Sequence, residues 1–321
     1  MQLFANKVRF AVQATPTRTS YPEYLANWLT CERLGYDIAY VTDHFSSYSP
    51  ETGPASVYES TTLVSAMAAQ TSRMRCGIMV AGNTFRNPGV LAKIAVTLDH
   101  VSNGRIELGM GSGHTQFEHE QYNIPFFTQG RRIRMLGESA KIVRSLLTNE
   151  RTTFEGEYYT IRDAFCEPKP VQRPLPILIG GVGEKLSMRV VAESADIWNN
   201  WTSPDLDTYG QKLAALHRHC EDVNRDPNDI RKSMHIKPLV GETEAEVRER
   251  APGQPRARWQ GTPEQLVEHL LQFVRVGVGD FVFMLDAPAD LRSLELIATD
   301  VAPQVREEGA KILADTVVAR A

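Results

Sequence analysis

Three stretches of this chain put proton-handling or anion-binding groups where an extended run ends. The first is Val41-Thr42-Asp43-His44-Phe45, which sets a carboxylate beside an imidazole. His44 is able to donate a hydrogen bond or a proton near neutral pH, although a histidine satisfying loop carbonyls would leave the same local pattern. The second is Gly109-Met110-Gly111-Ser112-Gly113-His114, where small residues replace side chains and a second imidazole follows. The third is Gly180-Gly181-Val182-Gly183-Glu184, placed directly before a helical segment. Exposed backbone N–H groups in both glycine runs suit a phosphate, and the helix start after the third adds its own free amides. Tight turns without a ligand would need the same glycines, so two such turns in one chain carry more than either alone.

Other chemistries find less support. The spacing G-x-G-x-x-G with an acidic residue closing the unit is absent, which argues against a nicotinamide site of the Rossmann kind. His114, Glu118 and His119 run in the order H-x-x-x-E-H, which is neither of the helical zinc orders, and no metal is expected. No G-x-S-x-G elbow supports a serine hydrolase. Arg131-Arg132-Ile133-Arg134 is able to meet a polyanionic tail, though such a run usually forms a solvated helix face.

The elements that must position these residues alternate along the chain. Strand patterns are expected at 8–14, 37–42, 75–81, 105–109, 176–179, 196–199, 233–240 and 280–285. Helical patterns fall between them at 22–34, 59–70, 88–101, 130–147, 185–194, 205–224 and 263–274, with a last one from about 289. This rhythm predicts an α/β fold, a (β/α)8 TIM barrel in preference to a doubly wound open sheet, forming one domain over residues 1–321, with the candidate residues at its C-terminal mouth. Insertions are expected near 115–129, 150–172 and 242–260; within the second, Thr152 to Ile161 alternates about Glu155-Gly156 like a hairpin. The loops 46–57, 115–129 and 198–204, with the 242–260 insertion, would build the substrate pocket, with Tyr48, Phe126, Phe127 and Trp201 as its aromatic residues.

Composition bounds the partners. At 321 residues, 42% hydrophobic and 23% charged, the chain is long enough to bury a large core. A net charge of -4 supplies no global field for nucleic acid or an anionic membrane, so a small-molecule substrate is expected, with neither nucleic acid nor membrane as partner. The opening Met1-Gln2-Leu3-Phe4-Ala5-Asn6-Lys7 has no basic stretch leading into a long apolar core, and a cytoplasmic location follows as an expectation. Cys31, Cys76, Cys166 and Cys220 are scattered without C-x-x-C spacing and read as buried, reduced thiols.

At these residues the chain resembles the bacterial luciferase-like superfamily, and within it the branch of oxidoreductases that depend on the deazaflavin coenzyme F420. The resemblance runs from about residue 8 to 285. It rests on the 41–45 motif, on Phe-Arg-Asn-Pro-Gly-Val-Leu-Ala-Lys at 85–93, and on Ser-Asn-Gly-Arg-Ile-Glu-Leu-Gly-Met-Gly-Ser-Gly at 102–113. Phe-Glu-Gly-Glu-Tyr-Tyr at 154–159 and Pro-Ile-Leu-Ile-Gly-Gly-Val-Gly-Glu at 176–184 complete it.

The resemblance implies a homodimeric enzyme that holds F420, or alternatively FMN, in the barrel mouth. Asp43 would contact the cofactor, and His44 would donate a proton or stabilise charge at the reacting carbon. The family's non-prolyl cis peptide would fall at Met79-Val80, against the cofactor ring. Gly111, Ser112 and Gly113 would run along the cofactor, and Gly181, Val182 and Gly183 would lie near its phosphate. The sugar-phosphate dehydrogenases of the family carry a glutamate where this chain has His114 and a tryptophan where it has Tyr48, which argues against their substrate. His114 or His44 is left as the proton-transfer group. The activity implied is hydride exchange between F420 and a small organic substrate, by reduction of C=C, C=N or carbonyl or by the reverse oxidation. The alternatives are an FMN-dependent monooxygenase and, in another class, a non-catalytic flavin- or deazaflavin-binding protein.

Overall fold

In the computed structural model, which describes residues 7–49, 53–201, 205–253, 259–285 and 289–318, eight parallel strands close into a barrel. They are β1 (Arg9–Ala14), β2 (Ile38–Val41), β3 (Arg75–Gly82), β4 (Ile106–Gly111), β5 (Ile177–Gly180), β6 (Ile197–Asn200), β7 (Arg231–Ile236) and β8 (Val278–Leu285). They follow one another around the barrel in chain order, and β8 closes on β1 with Phe10 beside Phe281. The helices that cover the strands are bounded by ordinary local chemistry. In α1 (Tyr21–Leu34), Ser20 and Glu23 form a reciprocal capping box, and Gly35 takes the left-handed conformation at φ 88° that stops the helix. After α2 (Ser60–Gln70) comes α3 (Pro88–Val101), where the Asn87 side chain accepts from the Gly89 N–H, and Pro88 fills the first helical position, where no N–H is needed.

The alternation of side chains along each strand sorts the barrel into layers. Phe10, Val12, Ile106, Leu108, Met234, Phe281 and Phe283 point outward and join the helices in the main core. Ala11, Ile38, Tyr40, Leu178, Ile197 and Val282 point inward and fill the middle of the barrel. Below them, at the strand starts, a buried ion network closes the base. Arg9 donates to Asp280 at 2.7 and 2.6 Å and to Glu107 at 2.6 Å, while Arg75 reaches Glu107 and Arg231 reaches Asp280. Above the middle layer the inward positions are Gln13, Gly111, Gly180, Asn199, His235 and Met284, and this layer is the floor of the mouth.

Several sequence expectations are corrected. The run 233–240 is not one strand: β7 ends at Ile236, and Pro238–Val240 pairs outside the barrel with Trp259–Gly261. Lys237-Pro238 intervenes, and proline at that position cannot continue the donor pattern of a barrel strand. The final helical region begins at Leu291, two residues later than read, and passes through a π-helical stretch Ile297–Val301 before Ala302–Val318. The 150–172 insertion does carry an antiparallel hairpin, Thr152–Glu155 with Thr160–Ala164. In the 242–260 insertion, Glu244–Arg250 is helical, and residues 254–258 lie outside the described ones. The four cysteines are buried free thiols, and no helix among the described residues is long and apolar enough to cross a membrane.

Candidate active site

The floor layer and the loops after β2, β4 and β5 enclose a cavity of about 540 Å³ at the C-terminal mouth. Its base is shaped by an irregularity in β3. Pairing with β4 jumps between Ile78 and Ala81, so Met79 and Val80 together occupy the space of one residue, and the peptide bond joining them is cis. Gln13 supports this bulge by donating from Nε2 to the Met79 carbonyl at 2.5 Å. Val80 then lies over Gly109, Gly111 and Gly180, where any Cβ would meet its methyl groups. This corrects the expectation of an N–H cradle in the first glycine run. Gly109 and Gly111 are buried strand residues whose missing side chains make room for the Ile78 carbonyl and for Val80 respectively; only Gly113, at φ 72°, sits in a turn.

Above this floor, two imidazoles face each other. The rings of His44 and His114 are 5.6 Å apart in an edge-on arrangement. Behind His44 stands Glu118, on the short helix α4 (Gln116–Gln121), its side chain 1% exposed. His44 Nδ1 donates to the Glu118 oxygens at 3.0 and 3.1 Å, and the Ser46 N–H donates to the same carboxylate at 3.3 Å. Burial by itself would lower the His44 pKa, but the bond to Glu118 and its charge, with Asp43 behind, outweigh it and raise the pKa. His114 moves the opposite way, lowered by burial first and then by the neighbouring His44 charge. One imidazole is thus held toward its cation and its neighbour toward the neutral base, an arrangement that supplies an acid and an acceptor at one rim.

Asp43 lines the same cavity, yet its oxygens are heavily engaged. Ser60 Oγ donates to it at 2.6 Å, the Gly82 N–H at 2.8 Å, and Arg86 at 2.5 and 3.0 Å. It locks the end of β2 to the end of β3 and accounts for the arginine in the 85–93 motif. His119 is also fully used: Nδ1 donates to the Thr115 carbonyl, and Nε2 meets the Thr84 hydroxyl, both at 2.7 Å. Among the described residues, no three His, Cys, Asp or Glu side chains converge as a metal set would require.

The β5 turn forms the opposite wall. Gly181, Val182 and Gly183 line the cavity, and a Cβ on Gly181 or Gly183 would stand 3.0 Å from Ser187, at the start of α6 (Ser187–Ser194). The glycines therefore keep a slot open against the helix start, and Trp198 Nε1 anchors the turn by donating to the Gly181 carbonyl at 2.8 Å. That cradle, the flat floor over Val80 and the cavity size fit a ring cofactor with a phosphorylated tail.

Other expectations separate. Ser112 and Trp201 line the cavity, whereas Tyr48 lies on a small surface hairpin, Ser47–Ser49 with Gly53–Ala55, 60% exposed and away from the cavity wall. Phe126 packs on Arg132 and His119, and Phe127 on Arg131, so neither lines the mouth. Arg132 is not part of a solvated face: it is buried, donates to the carbonyls of Gly113 and Phe127, and lies over the Phe126 ring. Residues 50–52 and 202–204 of the proposed pocket loops lie outside the described residues. Sequence reasoning missed Gln13, Asn199 and His235 as floor residues and Glu118 as a partner of His44. Strand parity was the available signal for the first three, because Gln13 shares the inward phase of Ala11, and His235 that of Ser233.

Comparison with known proteins finds relatives by sequence and a shared fold among solved structures. An uncharacterized protein of Mycobacterium tuberculosis is 33% identical over 181 residues, 52% of this chain and 63% of that protein, so the chain spans less than two thirds of that relative. An F420-dependent glucose-6-phosphate dehydrogenase of Segniliparus rotundus is 27% identical over 335 residues, covering 93% of this chain and 98% of the relative. An F420-dependent secondary alcohol dehydrogenase in complex with an F420-acetone adduct superposes with a TM-score of 0.80 at 18% identity, over 94% of this chain and 99% of that one. EDTA monooxygenase from Chelativorans also gives a TM-score of 0.80, at 14% identity, over 95% and 94% of the two chains. At such identities the structural likenesses show a common fold, hosting both deazaflavin and monooxygenase chemistry. Residues 4–275 match the luciferase-like monooxygenase family, and the chain belongs to it.

Proposed function

We propose that this chain is an F420-dependent oxidoreductase that exchanges a hydride with a small organic substrate, reducing a C=C, C=N or carbonyl group or running the reverse oxidation. The observation that carries the proposal is the opposed charge preference of His44 and His114 above a floor paved by Val80. The relatives named as F420-dependent dehydrogenases support the choice of cofactor. When bound, the deazaflavin supplies or accepts the hydride. The chain's own residues supply the rest. Met79 and Val80 would back the ring, Gly181 to Gly183 with the first turn of α6 would take the phosphate, and Phe85 and Trp201 would help keep water from the mouth.

His44, its pKa raised by the bond to Glu118, donates a proton to the substrate atom that gains charge on reduction, and accepts it back in the oxidative direction. His114, its pKa lowered by burial and by the His44 charge, orients the substrate by a hydrogen bond from the facing side of the mouth. A sugar phosphate is not carried over from the relatives, because an imidazole stands after the glycine run and the exposed Tyr48 lies outside the cavity.

Titration of the purified protein with F420 and with FMN, read by fluorescence quenching, tests the cofactor. Tight binding of F420 with weak FMN binding is expected. A preference for FMN would transfer the reading to a monooxygenase, and tight F420 binding without turnover across carbonyl, imine and enone substrates would leave a cofactor-binding protein. Replacing His44 by glutamine should keep F420 binding while lowering kcat by about 10²- to 10⁴-fold.

A further inference from the structure

The cavity continues past the β5 turn. Gln129, Ile133, Gly183 and Ser187 line the mouth and also line a groove of about 270 Å³ that leads outward past Lys185. A third cleft, of about 560 Å³, flanks the same helix start and is lined by Thr128, Arg131 and Arg134 with Glu157 and Tyr158 of the hairpin loop. This helix, α5 (Gln129–Thr148), joins the groove to the cleft through Gly130. A Cβ on Gly130 would stand 3.5 Å from Arg134 Nη1 and 3.8 Å from Leu186 Cδ1, so its absence leaves the saddle between them open.

The cations along this path are held in place and available. Arg131 stacks on the Phe127 ring at 3.9 Å with Tyr158 at 5.5 Å, and Arg134 Nε donates to the Tyr158 hydroxyl at 3.0 Å. Among the described residues neither guanidinium makes an ion pair with a carboxylate. Of the acids nearby, Glu138 is taken up by the N–H groups of residues 157–159, and Glu184 by Lys212 at 2.7 Å, leaving only Glu157 in the cleft.

Lys185 lies on the groove, whereas Arg134 and Arg131 line the cleft on the far side of Gly130, around Tyr158. A compact phosphate would be met in full at the β5 turn and would not reach them. A chain that alternates carboxylates with short methylene runs matches both the spaced cations and the rings between them, and a guanidinium fixed by stacking presents its edge to a carboxylate at little further entropic cost. We propose that the start of α5 and the Tyr158 loop form a channel for an oligocarboxylate tail, in which Arg131 and Arg134 select the cofactor bearing a glutamyl chain over shorter forms. This rests on the F420 reading above.

The test is binding alone, by fluorescence titration of the full chain with F420 carrying several glutamates, with F420 trimmed of all glutamates, and with FMN, at low and high salt. The wild type should bind the tailed form at least about tenfold more tightly than the trimmed form, with the advantage shrinking as salt rises. Exchanging both arginines for glutamine, or separately Lys185→Gln, should erode that advantage and leave trimmed-form affinity unchanged. Equal wild-type affinity for tailed and trimmed F420, or an arginine variant that weakens both alike, overturns the channel while the deazaflavin reading stands. A wild-type preference for FMN overturns both.

Discussion

His44 Nδ1 lies 3.0 and 3.1 Å from the two oxygens of Glu118, a residue 74 positions further along the chain. This bond uses Nδ1–H and leaves Nε2 as the ring nitrogen free to carry a proton toward the cavity. It also raises the His44 pKa against the opposing effect of burial.

Glu118→Gln should therefore lower the His44 pKa and move the alkaline limb of the pH-rate profile to lower pH. The stability consequence has a definite sign. A histidine with a raised folded-state pKa stabilises the fold at pH values below its ordinary pKa, and the contribution fades as pH rises through the raised value. The Tm difference between wild type and Glu118→Gln should thus be largest below the ordinary histidine pKa and shrink as pH rises above it. A difference that stays constant across that range would mean that Glu118 acts only by packing.

Val80 and Gly111 form the second sensitive pair. Alanine at 111 puts a Cβ into the space of the Val80 methyl group, and overpacking of this kind costs about 1–3 kcal/mol. Gly111→Ala should lose that much stability in urea unfolding and weaken cofactor binding, because the floor must lift. Adding Val80→Ala should recover part of the stability loss, giving a coupling energy of about 0.5–3 kcal/mol in a double-mutant cycle. Strict additivity would show that the floor relaxes by another route.

The base of the barrel makes an independent prediction. Asp280 is buried, which would raise its pKa, but Arg231 and Arg9 overcome this and hold it at about 2. Asp280→Asn leaves both guanidiniums short of a counter-charge and should cost about 3–5 kcal/mol at pH 7. Because the folded-state pKa is depressed, the stabilisation is present above the ordinary aspartate value and is lost as pH falls toward 2. Chemical denaturation at pH 7 and at pH 3 should show the variant and the wild type drawing together in acid.

Much of the scaffold was legible because its signals are local. Asparagine and proline at 87–88 and glycine at 104 bracket a helix found at Pro88–Val101, and apolar runs ending in glycine mark β3, β4 and β5. The rim position of His44 and His114 followed from the same rule, since strand ends in such a barrel converge at one mouth. The roles of several residues were not legible. Gly109 and Gly111 read as a phosphate turn because a glycine that makes space for the neighbouring β3 bulge looks the same in sequence as one that exposes its amide. Arg132 read as solvated because nothing in a basic run reveals that one member turns inward onto Gly113 and Phe127.

The sequence by itself determined the βα rhythm and the arrival of His44, His114 and the two glycine runs at strand ends around the mouth. These depend on backbone preference and on periodic burial, which act over a few residues. Only the tertiary structure decided which histidine has its pKa raised and which has it lowered, which carboxylates brace loops, and that the cleft beyond Gly130 carries two arginines. Charge state and open space are set by groups distant in sequence, through burial and Coulomb interactions that exist only once the chain has closed.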